Sequence, residues 1–80
     1  MKIKIKVFAT LKDYFDGEFE MNVSEGLKVA DVIDIVMIKN SLALPILRKC
    51  RVAINENFVH ADYSVKENEE LFIIPPSSGG

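Results

Sequence analysis

Residues 2–7 read Lys-Ile-Lys-Ile-Lys-Val, and this strict alternation leaves the segment one regular conformation. Successive side chains on a strand point to opposite faces, so Ile3, Ile5 and Val7 share one face and Lys2, Lys4 and Lys6 the other. Such a strand is dry on one side and wet on the other. Phe8 falls on the lysine side, where the core does not claim it. At the far end of the chain, Leu71-Phe72-Ile73-Ile74 is apolar at every position. A strand of that kind has both faces covered, or keeps one for a partner.

The intervening segments follow from spacing. Thr10 to Phe15 is short and mixed, enough for one helical turn, and Asp16-Gly17 signals a turn. Glu18 to Val23 alternates again, with Phe19, Met21 and Val23 inward, so residues 2–23 predict an antiparallel hairpin with a long connection. Ser24-Glu25-Gly26 breaks the pattern. Val29, Val32, Ile33, Val36 and Met37 then form one apolar stripe and predict a helix over Val29 to Lys39. Lys28 sits at its N-terminal boundary, and Asp31 and Asp34 lie in the turns where the helix dipole favours negative charge. Lys39-Asn40 closes the helix with a cation and a residue that tolerates the left-handed conformation common at helix ends. Ser41 to Lys49, with Pro45, reads as an irregular connection. Arg51 to Ile54 is a short strand, Asn55-Glu56-Asn57 a tight turn, and Phe58-Val59 resumes extended chain. Asn68, in the polar run before the last strand, can take a positive φ.

The order β-β-α-β-β predicts an α+β domain with one helix across a small mixed sheet. The first and last strands are then parallel neighbours at its centre. This is the β-grasp arrangement, with one sheet face under the helix and the other open. It spans residues 1–74, and residues 75–80 form an extended tail.

The chain has 80 residues, which sets one domain as the limit. A hydrophobic content of 49% supplies a core, and 28% charged residues with a formal net charge of -2 describe an ordinary surface. A pI near 5.3 favours neither nucleic acid nor membrane as a partner. The apolar runs are far short of the ~18 residues that span a bilayer. Met1 to Lys6 is not a signal-peptide pattern. The single cysteine, Cys50, excludes an internal disulfide and suits a reducing cytoplasm.

Catalytic constellations are missing. His60 is the only histidine, and its place in a loop fits a solvated side chain. Cys50 has no spacing to His60 that argues for activation. No Cys/His cluster has zinc spacing, and Glu67, Glu69 and Glu70 read as a solvated turn, so no metal and no bound cofactor are expected. Gly17 and Gly26 are isolated turn residues. The tail is different. Pro75 and Pro76 fix φ, lack an N–H, and send the chain out extended. With Ser77, Ser78, Gly79 and Gly80 they reach up to about 20 Å. Glycine lets a narrow channel close around the chain. The carboxylate expected on Gly80 is ionised and a poor electrophile until activated, for example as an acyl-adenylate formed with ATP.

These residues resemble the small subunit of molybdopterin synthase, a ubiquitin-like sulfur carrier. The resemblance rests on Phe8-Ala9-Thr10-Leu11-Lys12-Asp13, on Ile54-Asn55-Glu56, and on Leu71 through the Pro-Pro-x-x-Gly-Gly ending, and it covers nearly the whole chain. It implies that an E1-like adenylyltransferase uses ATP to adenylate Gly80. A sulfur donor such as a cysteine desulfurase then supplies a terminal thiocarboxylate. The tail enters the large subunit of molybdopterin synthase and gives up sulfur for the pterin dithiolene. The chain would be a non-catalytic, sulfur-donating subunit. The resemblance also implies a docking patch of Phe8, Phe58 and Ile74, with Lys12 at a basic position; the parity of the last strand adds Phe72 to Ile74. Ser77 stands where the family often has an apolar residue, and Asn68-Glu69 where it often has Gly-Asp. Three alternatives stay open: a thiamine-type sulfur carrier, a ubiquitin-like modifier that also serves tRNA thiolation, and a β-grasp interaction module.

Overall fold

The computed structural model describes residues 1–76. Strand β1 (Lys2–Val7) has the burial its alternation demands, with Ile3 and Ile5 fully enclosed and Lys4 and Lys6 half-exposed on the other side. The chain is still extended at Phe8 and turns at Ala9, whose φ of 53° lies in the left-handed region. That region is uncommon for a residue with a Cβ. A 3₁₀ helix, Ala9–Asp13, follows and inserts Leu11 into the core, which anchors the connection to β2 (Glu18–Asn22). β2 returns antiparallel, with Met21 opposite Ile3 and Phe19 opposite Ile5.

Helix α1 occupies Val29–Lys39, the span its stripe predicts. Val29, Val32 and Val36 are buried, and Ile33 and Met37 pack against the core from its margin. The Lys28 N–H donates to Asp31 Oδ2 at 3.0 Å. The reciprocal half of a capping box is impossible here, because the Lys28 ammonium has no lone pair. The N–H groups of Val29 and Ala30 donate to the carbonyls of Tyr63 (3.0 Å) and Ala61 (2.9 Å). The loop through residue 63 thereby satisfies donors that a helix start leaves open.

Three expectations need correction. Asn40 is extended, with φ -152°, not left-handed. Its side chain instead accepts the Leu42 N–H at 3.1 Å and donates to the Tyr14 carbonyl at 3.1 Å. Residues 41–49 are not irregular throughout: a 3₁₀ helix, Ser41–Ala43, leads into α2 (Leu44–Leu47). Pro45 sits in the first turn, where a missing N–H costs nothing. Phe58-Val59 belongs to a fifth strand, β4 (Asn57–Val59), paired with β3 (Arg51–Ile54). Asn55 and Glu56 both have positive φ, so two residues suffice to close that hairpin.

Strand β5 (Glu70–Ile74) lies between β1 and β3, parallel to the former and antiparallel to the latter. The five-stranded order is β2-β1-β5-β3-β4. Leu71 and Ile73 are fully buried, while Phe72 and Ile74 are half-buried on the opposite face. Asn68 has φ 66°, which turns the chain into β5. The helix covers one face of the sheet and leaves the other open.

Candidate functional site

The open face is organised by register. One row runs across all five strands as Glu18, Lys6, Phe72, Ala53 and Phe58. Its β2–β1 end is ionic. Lys4 Nζ lies 3.6 Å from Glu18 Oε2 and 3.9 Å from Glu70 Oε2, Lys6 Nζ lies 3.7 Å from Glu18 Oε1, and Lys2 Nζ lies 3.9 Å from Glu20 Oε1.

The other end is aromatic. The Phe8 and Phe72 rings meet at 5.6 Å between centroids, tilted by 54°. That offset arrangement suits ring quadrupoles. Lys6 Nζ stands 5.6 Å from the Phe72 centroid, and Arg51 Cζ stands 3.8 Å over Phe58. Ala53 lies between Phe72 and Phe58 in register and is itself buried. Phe58 is 53% exposed. Ile74, opposite Arg51, continues the patch to the point where the tail departs. Pro75 is half-buried and Pro76 exposed; Ser77, Ser78, Gly79 and Gly80 lie outside the described residues.

Four of the five expected docking residues, Phe8, Phe58, Phe72 and Ile74, therefore share this face. Lys12 does not join them. It lines a cleft of about 510 Å³ whose walls include Asp16, Phe19, Glu20 and Lys39. Sequence reasoning missed Arg51 and Ala53. Their parity with each other was readable, but only the β3–β5 and β3–β4 registers place them among the rings.

The remaining nucleophile is quiet. The Cys50 thiol donates to the Ile46 carbonyl at 3.2 Å, and burial pushes its pKa up to about 11. It stays protonated near neutral pH and is a weak nucleophile. Tyr63 Oη donates to Glu69 Oε2 at 2.7 Å, and this bond, with desolvation and the carboxylate charge, raises the phenol pKa. Glu69 Oε1 also accepts the Lys66 N–H, so the pair fixes the turn before β5. Among the described residues, no three His, Cys, Asp or Glu side chains form a metal-holding group. No helix among them is long and apolar enough to cross a membrane.

Residues 5–80 match the ThiS family. The chain belongs to that family. No curated protein matches it. Among solved structures, this ThiS-family chain is similar to a putative molybdopterin converting factor subunit 1 from Pyrococcus furiosus, at 22% identity and TM-score 0.84, covering 95% of this chain and 98% of that one. SAMP1 from Haloferax volcanii aligns over 100% of both chains at 20% identity and TM-score 0.83. The complex of subunits 1 and 2 of the molybdopterin-converting factor from Helicobacter pylori contains a chain that aligns over 100% of both at 16% identity and TM-score 0.72. At these identities the likeness is one of fold. The fold is the ubiquitin-like β-grasp of the small sulfur carriers.

Proposed function

We propose that this chain is a sulfur carrier that serves as the small subunit of molybdopterin synthase. The observation that carries the reading is the family match, which runs through Gly80 and so includes the tail with the domain. In this reading the Gly80 carboxylate attacks the α-phosphorus of ATP on an E1-like adenylyltransferase, and pyrophosphate leaves. The outer sulfur of a persulfide on a donor such as a cysteine desulfurase displaces AMP to give an acyl disulfide. A dithiol reductant then cleaves its S–S bond, leaving the thiocarboxylate on Gly80, the donor's thiol and an oxidised disulfide. The large subunit receives the aromatic patch of Phe8, Phe72, Ile74 and Phe58, and the slim tail enters its active site. There the terminal sulfur bonds to the pterin precursor, and water then breaks the acyl carbon–sulfur bond and restores the Gly80 carboxylate. The chain contributes no acid, base or metal to these steps; it is the loaded reagent. The Helicobacter pylori complex supports a large-subunit partner, because a chain of this fold is seen there with a second subunit.

Intact-mass measurement tests this directly. Incubation with an E1-like activator, ATP and a sulfur source is expected to add about 16 Da, oxygen exchanged for sulfur, at the terminal carboxylate that stays ionised at neutral pH. Absence of that gain under conditions that charge a known carrier overturns the reading. The likeness to SAMP1, with a TM-score of 0.83, favours a second reading as a protein modifier. Lysine conjugates that survive reducing agent and vanish on deletion of Gly80 distinguish it.

A further inference from the structure

Arg51 is the strand charge that the open face leaves unanswered. The other charged side chains that the strands bring to this face are Lys2, Lys4 and Lys6 with Glu18, Glu20 and Glu70, and all of them join ion pairs. Arg51 joins none among the described residues, and its guanidinium donates no hydrogen bond among them. What holds it is a ring, with Cζ 3.8 Å from the Phe58 centroid. The ring fixes the position of the guanidinium without using any of its N–H donors. In register Arg51 stands opposite Ile74, the last strand residue before Pro75, so the charge sits where the tail departs. Beside it the face is apolar, with Phe72, Ile74, Ala53 and Phe58.

We propose, resting on the functional reading above, that Arg51 determines which surface can dock on the open face, by receiving a carboxylate of the large subunit at the root of the tail. Docking covers Phe8, Phe72, Ile74 and Phe58, and a charge standing among them loses its water with them. Stripping water from an unpaired guanidinium opposes binding, so a surface that fits this face has to answer it. A carboxylate does so best, because its two oxygens match the planar fork with parallel N–H···O bonds. A lysine at that point of the partner is repelled, and an apolar wall leaves the charge buried and unpaired, so the residue that admits one partner rejects others. The occupant is a protein surface and not an extended polyanion, since the lysines of the face are already paired with glutamates. Lying beside Ile74, the pair also fixes the point from which the tail sets out.

Titration calorimetry of the full chain against the molybdopterin synthase large subunit of the same organism tests this. Arg51→Leu keeps the patch apolar, yet should weaken binding about thirtyfold, and Arg51→Glu about 100-fold or more. Arg51→Lys keeps the charge but not the fork, and should recover only part of the loss. Arg51 is exposed, so the melting temperatures should stay within about 4 °C of the parent's. Should Arg51→Glu fold poorly, the other two variants carry the measurement. Replacing the large subunit's interface carboxylates with lysine, one at a time, should find one that restores binding of the Arg51→Glu chain. A residue that merely shields Phe58 gives no such rescue. Failure of the unaltered chain to bind overturns the functional reading and the assignment of Arg51 together. Binding that is unchanged or tighter in Arg51→Leu, or an Arg51→Glu loss that no carboxylate replacement restores, overturns the assignment of Arg51 and leaves the functional reading standing.

Discussion

The two ends of the open sheet face differ in what they leave unsatisfied. On β1, β2 and the first residue of β5, lysines and glutamates answer one another in four ion pairs among the described residues, three across β1–β2 and one from Lys4 to Glu70, so that end is complete in itself. On β5, β3 and β4, Phe8, Phe72, Ile74 and Phe58 gather around Ala53, and their outer faces meet solvent. Both ends belong to one sheet and obey one side-chain parity. The ionic end gains little from a partner, because exposed pairs are already solvated and screened. The aromatic end gains much, because its apolar area still faces water. Lys6 and Arg51 mark the seam and the rim, each stacked on a ring.

The largest expected effect separates the two faces of β1. Ile5→Asp buries an unpaired charge and should cost more than about 4 kcal/mol, enough to unfold much of a domain this small. Phe8→Asp, three residues on, should cost under about 1.5 kcal/mol, the worth of its contact with Phe72. It should instead weaken binding of the proposed partner subunit about thirtyfold, the effect of a charge in the centre of an apolar patch. Thermal denaturation and titration calorimetry together read both numbers. Equal loss of stability in the two variants would break the comparison, since Phe8 would then be core.

Ala53→Leu sharpens it. Enlarging this buried residue between Phe72 and Phe58 should cost about 1–3 kcal/mol by overpacking and, by displacing the rings, also reduce partner affinity. A variant that binds as well as the parent would show that the placement of these rings is not used. Lys4→Ala tests the ionic end. It should cost under about 1 kcal/mol, and the difference should vanish in high salt. A larger, salt-insensitive loss would contradict a self-contained surface.

The smallest effect concerns Cys50. Its raised pKa means that the folded chain holds the thiol proton when the unfolded chain has lost it. The contribution is fully present below about pH 9 and is lost as pH rises through about 11. Denaturation curves near these two values should show the loss, and Cys50→Ala should flatten it. The thiol is half-exposed, so the change is modest. Alkylation at pH 8 should also be slow, since the thiolate fraction is on the order of 100-fold lower than for an unperturbed thiol.

Local periodicity carried most of this architecture in plain view. The alternation of residues 2–7 set β1 and its faces, the stripe from Val29 set α1 to its end at Lys39, and the apolar run Leu71–Ile74 set a central strand. Asn68 was readable too, since asparagine tolerates the positive φ that this turn requires. Asn40 was misread because its conformation is decided by Tyr14, a partner 26 residues away. Pro45 disguised α2, whose four residues are held by Leu47 in the core rather than by propensity. β4 was read as extended chain without its pairing, because three residues carry too little pattern to declare a strand.

The sequence by itself determined which residues turn inward and which outward, because side-chain direction repeats every two residues on a strand and every 3.6 on a helix. It determined the candidate tail as well, through the chemistry of Pro75, Pro76, Gly79 and Gly80. Only the tertiary structure decided which outward residues meet. Lys6 finds Phe72, Arg51 finds Phe58, and Ala53 comes to lie between the two phenylalanines through register between strands distant in the chain. Register is set by the packing of the whole sheet against α1, and no local window of sequence contains it.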